Sequence, residues 1–416
     1  MSLLLFSSVV LQHFQLATIG GFRLTVGFVL GFFLIVLVMT RLNTSRLLIT
    51  WSTLLGLSAL AGLFALSFAS TLDFVSTLLL CLVTSFFIVA GTESSLPPAT
   101  VGALMNGSFF ALVAIVALSV SQVALGSLGS DALFNVLGPF QYQNQYDPQL
   151  AYTQIPRAQG FFLEPSYDAF VIGSLSMALI TTGRRTLATL VLAFVGLGAC
   201  QSATGLILFL LVTMILVLRS RPQVAVPLVG AGCLLLILVG GSLATRLSSI
   251  GDVGSSANYR LVAPLRVLTD VLTDHPFGLP LGSIYEVVAR YGLVMDGAGE
   301  TVSLDNGVYV LVYYFGWFGV AFLALLAMWV IGGLVSKGAR DHDLNARALV
   351  PLWLYGSLLF SGGIVAPEFG LMSWLTITAY VNSKEREFSG HTAASPERDN
   401  SDLPRYRGSP SHPRVA

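Results

Sequence analysis

Three acids, five arginines and one histidine are the residues of this chain whose types and positions could do chemistry. Glu164, Asp305 and Glu368 each stand at the start of an apolar stretch. A carboxylate there can take a proton from an attacking hydroxyl, or it can simply favour a helix N-terminus by well under about 1 kcal/mol. Glu368 sits in SGGIVAPEFG, close to apolar sequence, where ionisable groups usually face a polar cavity. Arg157, Arg246, Arg260, Arg266 and Arg290 carry planar, permanently charged forks that grip phosphate in bidentate fashion. Each also reads as a solvated loop residue or an ion-pair partner, most of all Arg290, with Glu286 four positions before it. His275 is one of five histidines and precedes PFGLPLG. It is a structural loop residue, a base or a phosphate contact, and Gly278 and Gly282 would let backbone approach a ligand closely. No Cys/His cluster has metal-ligand spacing, and there is neither a Walker loop nor a dinucleotide fingerprint, so no metal or cofactor is expected.

The elements that must position these residues are membrane spans. Mean hydropathy is +0.80 and 10% of the 416 residues are charged, against about a quarter in a water-soluble domain. Net charge is zero, so nucleic acid is not implied as a partner. The cysteines, Cys81, Cys200 and Cys233, fall in apolar runs and suggest no disulfide framework. A span needs about 20 apolar residues. On that measure we expect an all-α polytopic membrane protein of about twelve helices: 2–19, 22–40, 47–69, 72–91, 100–123, 166–182, 186–200, 204–219, 224–242, 306–334, 348–365 and 369–382. The first is weakened by Gln12, His13 and Gln15 and is read as a retained span, not a signal peptide. The seventh and twelfth are short, and the tenth begins outside the bilayer. Asp73 and Asp168 are isolated polar groups at span ends and receive no role.

With the N-terminus in the cytoplasm, the inner loops carry Arg41, Arg46, Arg184, Arg185, Arg219, Arg221, Lys337, Arg340 and Arg347, a positive-inside pattern. The expected organisation is then N-terminal helices over 1–123 and a first outer loop over 124–165. Central helices follow over 166–242, a second outer loop over 243–305, C-terminal helices over 306–382 and a disordered cytoplasmic tail over 383–416. The first outer loop offers tyrosines and glutamines at Gln141–Tyr146, a surface that suits sugar or an interfacial aromatic belt. The second holds four of the 21 Lys+Arg and seven of the 21 Asp+Glu between Arg246 and Asn306. Within it, Leu261, Leu265, Leu268 and Leu272 repeat at helical spacing. Ser255 or Ser256 would cap that helix and Pro264 would bend it. Lying on the membrane surface, it would hold Arg260 and Arg266 at headgroup height.

Several motifs together resemble a known group. RAQGFFLEPS at 157–166, QSATG at 201–205, NYRLVAPLRVLTDVLTDHPFG at 258–278 and LDNGVYVLVYYFGWFG at 304–319 resemble the bacterial O-antigen ligase/polymerase superfamily. More narrowly, TRLSSIGDVGSSANYRLVAPL, GSIYEVVARYG, LDNG and APEFG resemble the colanic acid polymerase family, over roughly residues 155–370. The resemblance implies a Wzy-type exopolysaccharide polymerase, similar to lipid-donor glycosyltransferases. Such an enzyme moves a growing glycan from undecaprenyl pyrophosphate to a lipid-linked repeat unit at the periplasmic face of the inner membrane. Its implied partners are those lipid-linked oligosaccharides, the bilayer, a chain-length co-polymerase and a flippase. Motif matching points to Arg157, Glu164, Arg260, His275, Asp305, Asn306 and Glu368. The chain departs from ligases of the superfamily, which often place a histidine before the asparagine where Asp305–Asn306 stands, and this weakens a ligase reading. A lipid-glycan transporter is the other alternative, disfavoured because charge clusters outside the spans.

On this reading Arg157 and Arg260 hold pyrophosphate, with Arg266 and Glu368 also at the substrate. Glu164 or Asp305 is the base, His275 is held in reserve, and Asn306 orients a sugar.

Overall fold

The computed structural model describes residues 1–19, 22–39, 43–68, 71–130, 132–134, 157–162, 164–219, 230, 241, 244, 248–253, 255, 258, 261–292, 306–335, 343–359 and 361–393. Arg246, Arg260, Asp305, the Gln141–Tyr146 surface and nearly all of the expected ninth span lie outside them. So does the sequence after Ala393.

Among the described residues the fold is all-α apart from one hairpin. The helices are α1 (Ser2–Val10), α2 (Val26–Val38), α3 (Thr44–Phe64), α4 (Thr71–Thr92), α5 (Pro98–Ser127), α6 (Pro165–Thr181), α7 (Thr186–Cys200), α8 (Ala203–Arg219), α9 (Ala263–Asp274), α10 (Ile284–Arg290), α11 (Gly307–Val335), α12 (Asp343–Ser357) and α13 (Pro367–Ala393). By length and composition, α3, α4, α5 and α11 can each cross a membrane. Bulky apolar residues stand exposed along α3 (Leu48, Ile49, Leu63) and α11 (Phe318, Phe322, Leu325, Ile331). Such faces suit hydrocarbon rather than water, so this is an integral membrane protein.

Helix α6 is the hub. All its residues from Pro165 to Ile180 are buried except Tyr167, the pattern of a helix surrounded by others. It packs on α5, α7, α8, α12 and α13. Gly173 makes one of these contacts close, because a β-carbon there would overlap the Trp353 ring. The Trp353 indole N–H donates to Ser174 Oγ at 3.0 Å.

The first expected span is not a single helix. Helix α1 has nine residues, about 13 Å at 1.5 Å per residue, against a hydrocarbon core of about 30 Å. The chain then turns through Gln12 and His13 into an antiparallel hairpin, β1 (Gln15–Ile19) with β2 (Phe22–Thr25). Thr25 caps α2 by accepting a hydrogen bond from the Phe28 N–H at 3.3 Å. The polar group at 12–15 ends the helix where its backbone can be satisfied by the hairpin instead.

Four other expectations need correction. The helix of the second loop runs from Ala263, so Pro264 lies in its first turn, where no N–H is needed, and does not bend it. Ser255 does not cap it: its hydroxyl donates to Ser249 O and accepts from Asn258 N–H. The buried face is set by Pro264, Val267 and Val271, while Leu265 is 49% exposed. That face docks on α11, where Tyr309, Tyr313 and Trp317 donate to the carbonyls of Leu261, Pro264 and Leu272. Lastly, α13 runs past the expected end at 382 to Ala393, because Lys384, Glu385, Arg386 and Glu387 are good helix formers that prolong the last apolar turn.

The tenth expected span is one long helix broken once. Gly316 has φ 52° and ψ −130° inside α11, a conformation open to glycine. The break receives the loop after α9: Trp317 N–H donates to Pro276 O at 3.0 Å and Leu279 N–H to Tyr313 O at 2.6 Å.

Candidate functional site

The segment from Arg157 to Glu164 is laid across the end of the bundle where α6 begins and α5 and α7 finish. Gln122, near the end of α5, does most of this. Its Oε1 accepts from the Gln159 and Gly160 N–H groups at 3.0 and 2.9 Å, and its Nε2 donates to the Gly160 carbonyl at 3.0 Å. Gln159 Nε2 donates in turn to Phe134 O at 2.9 Å, and Ala158 N–H to Ala199 O at 3.0 Å. Gly160 has φ 57°, and a β-carbon on it would stand 2.7 Å from Asp168 Oδ1. The RAQG sequence is therefore explained position by position as an anchored turn. Its first residue, Arg157, is half-buried, and its Nε donates to the Cys200 carbonyl at 3.3 Å.

Asp168 lies beneath this turn, fully buried. Its Oδ2 accepts from Ser119 Oγ at 2.7 Å and from the Cys200 thiol at 3.1 Å. Glu164 occupies the position before Pro165, as the sequence suggested. Its backbone carbonyl accepts the Tyr167 and Asp168 N–H groups, and Ser166 Oγ donates to its carboxylate at 3.1 Å. The carboxylate does not cap the helix.

The same end of the bundle holds a contact that sequence reading missed. His13 Nε2 meets Glu368 Oε1, with both side chains wholly buried. Phe162 packs edge-on to the imidazole, with centroids 5.7 Å apart, and Tyr167 stacks on it at 6.3 Å. Phe162 lies between Arg157 and Glu164, and Tyr167 lies in the first turn of α6. Phe369, next to Glu368, stacks on Phe170 of α6 at 5.9 Å. The Gln12 amide beside His13 is buried and makes no hydrogen bond among the described residues.

Asn306 and Glu368 are linked through the turn before α13. The Gly307 N–H is shared between the carbonyls of Leu358 and Ser361, at 2.7 and 2.8 Å, and a β-carbon on Gly307 would touch Gly363. Asn306 itself is buried, and its Oδ1 accepts from the Val308 N–H at 3.1 Å, so it caps α11.

His275 keeps different company. Its ring packs edge-on to Phe68 at 5.4 Å, and its Nδ1 makes no hydrogen bond among the described residues. Arg290 is not paired with Glu286. Its guanidinium lies over the Phe68 ring, 4.7 Å from the centroid, which serves as its counter-surface. Arg266 is on α9.

The structure thus brings Arg157, Glu164 and Glu368 to one end of the bundle. It adds His13, Gln12, Ser119, Gln122 and Asp168 to them. All five additions are polar groups inside expected apolar runs, and that was the available signal.

The comparisons can now be set beside this geometry. The model of the WcaD colanic acid polymerase family matches residues 1–381. This chain belongs to that family. The match reaches well beyond the motifs at 155–370 and takes in α1 and His13. A protein of Escherichia coli strain K12, provisionally named a colanic acid polymerase, is 27% identical over 277 residues. The alignment covers 63% of this chain and 66% of that relative, so the chain spans just under two thirds of the relative's length.

Proposed function

We propose that this chain is an exopolysaccharide polymerase of the colanic acid type, acting on lipid-linked glycans at the outer face of the bacterial inner membrane. The observation that carries the proposal is the gathering of an arginine and three carboxylates, Arg157, Glu164, Asp168 and Glu368, at one end of a membrane bundle whose family is polymerases. An arrangement with the loops 124–165 and 243–305 outside and the C-terminus in the cytoplasm accords with the distribution of basic residues.

The donor is a glycan on undecaprenyl pyrophosphate and the acceptor is a lipid-linked repeat unit. An acceptor hydroxyl oxygen forms a bond to the donor's anomeric carbon. The bond from that carbon to pyrophosphate breaks, and pyrophosphate keeps the electron pair. Arg157, whose Nε is tied to a helix-end carbonyl, turns the rest of its fork to this growing charge, and Arg260 shares the task. Glu164 takes the hydroxyl proton, with Asp305 as the other carboxylate suited to that step and His275 a third. Glu368, wholly buried against His13, acts from behind the acceptor side by holding the start of α13 in place, and Arg266 adds positive charge on the amphipathic helix. Asn306 acts through its cap, fixing where α11 starts.

The test is to incubate the purified protein with lipid-linked repeat units alone. A ladder of chain lengths is expected. Transfer of finished chains to another lipid acceptor without a ladder would make it a ligase, and transbilayer movement without new glycosidic bonds would make it a transporter.

A further inference from the structure

The end of the bundle opposite the candidate site carries a second basic feature with its own cavity. Met105, Asn106, Phe109, Leu179, Arg184 and Arg185 line an open pocket of about 180 Å³ between α5, the end of α6 and the start of α7. Such a space holds several waters or one phosphate group. Met105 and Leu179 are buried beneath it, while Asn106, Phe109 and the two arginines reach its surface.

Three observations set these arginines apart from simple markers of an inner loop. First, the Arg185 guanidinium lies over the Phe109 ring, 4.3 Å from its centroid, which gives this exposed side chain a preferred position. Second, Arg184 lies against Gly102, where a β-carbon would come within 3.1 Å of Nη2. The absent side chain on α5 is its seat. Third, Arg185 adopts φ 50° and ψ 35°, two residues after Gly183 at φ 68°. A left-handed backbone is unusual for a long side chain, and this one sits at the pocket rim. Neither arginine makes an ion pair among the described residues, where the pairs are His13–Glu368 and Arg46–Glu93.

We propose that this pocket binds a phosphodiester anion, specifically the headgroup of an anionic phospholipid. Two forks and an amide face the phosphate. Phe110, next to Phe109, and Leu187, two residues after Arg185, are exposed apolar residues on which an acyl chain can lie, which suits a lipid better than a free anion, and basic pockets at a membrane boundary favour such headgroups.

The full-length protein is tested in nanodiscs of phosphatidylcholine with or without phosphatidylglycerol, reading retained lipid by mass spectrometry after extraction into detergent. Wild type should keep phosphatidylglycerol, unaffected by a large excess of inorganic phosphate. The Arg184→Gln/Arg185→Gly variant, in which glycine preserves the left-handed turn, should lose it roughly tenfold or more. Arg184→Lys should lose it partially, since lysine keeps charge but not the fork. Equal retention by wild type and a monodisperse double variant overturns the proposal. So does displacement by inorganic phosphate, which would assign the pocket to a soluble anion. If the double variant fails to fold, Arg184→Lys decides alone: retention equal to wild type overturns the proposal.

Discussion

His13 and Glu368 meet across the bundle, joining the turn after α1 to the first turn of α13 in a contact wholly removed from solvent. Removing one partner strands the other, which for a buried pair costs about 3–5 kcal/mol. Glu368→Ala and His13→Ala should therefore each lower the melting temperature of the detergent-purified protein markedly. Leucine at 13 combined with methionine at 368 should recover most of that loss, because apolar replacement of both partners is often neutral. Polymer should remain absent from the double variant. Restored polymer would mean that the pair only holds the bundle together.

Arg157 offers a cleaner separation of chemistry from folding, because it is half-buried and its Nε donates to a backbone carbonyl, which any side-chain change leaves in place. Arg157→Ala should abolish polymer with the amount of protein in the membrane unchanged. Arg157→Lys should restore little, since lysine keeps charge without the planar fork. Normal polymer from either variant removes Arg157 from the proposed pyrophosphate clamp.

Gly160→Ala should act on the anchored turn. Left-handed backbone costs an L residue about 1–2 kcal/mol, and the new methyl would press on the Asp168 carboxylate, 2.7 Å away. We expect a melting temperature lowered by several degrees and polymer reduced more than abundance. Adding Asp168→Ala should not rescue it, since Ser119 and Cys200 would lose their shared acceptor, a further cost of about 1–3 kcal/mol. Melting curves of the single and double variants measure this.

Gly316→Ala is expected to be the most damaging small change. A β-carbon there would lie 2.2 Å from Pro276 O, and φ 52° with ψ −130° is poorly open to alanine. The loop that carries His275 should detach from α11. Limited proteolysis should show faster cleavage between α9 and α10, alongside lower abundance.

The orientation is checked at Leu128, 81% exposed just beyond the end of α5. Cysteine placed there, in a chain lacking Cys81, Cys200 and Cys233, should react with a membrane-impermeant maleimide in spheroplasts. Protection there with reaction only after lysis would invert the proposed topology.

Helix positions were largely legible in the sequence, because apolar length is what a bilayer demands. Pro165 after Glu164 and the amphipathic stretch near Ala263 were readable for the same local reasons. What escaped was tertiary. Residues 2–19 are apolar enough to pass for a span, and only Gln12, His13 and Gln15 hinted at a turn. The pairing of His13 with Glu368 has no local signature, since each residue alone looks like a loop histidine or a helix-start acid. Asp168 was set aside as an isolated end group, yet it supports Gly160. The apolar face of α9 was placed on its leucines, whereas docking on α11 selected Val267 and Val271. Periodicity finds a stripe, and the neighbour chooses its centre.

Gln122 has one more implication. A single amide on α5 fastens the turn at Gln159 and Gly160 by three hydrogen bonds, so the turn rides on that helix as cargo. A tilt of α5 within the bilayer would carry Arg157 along with it, making bilayer thickness a lever on the placement of this arginine.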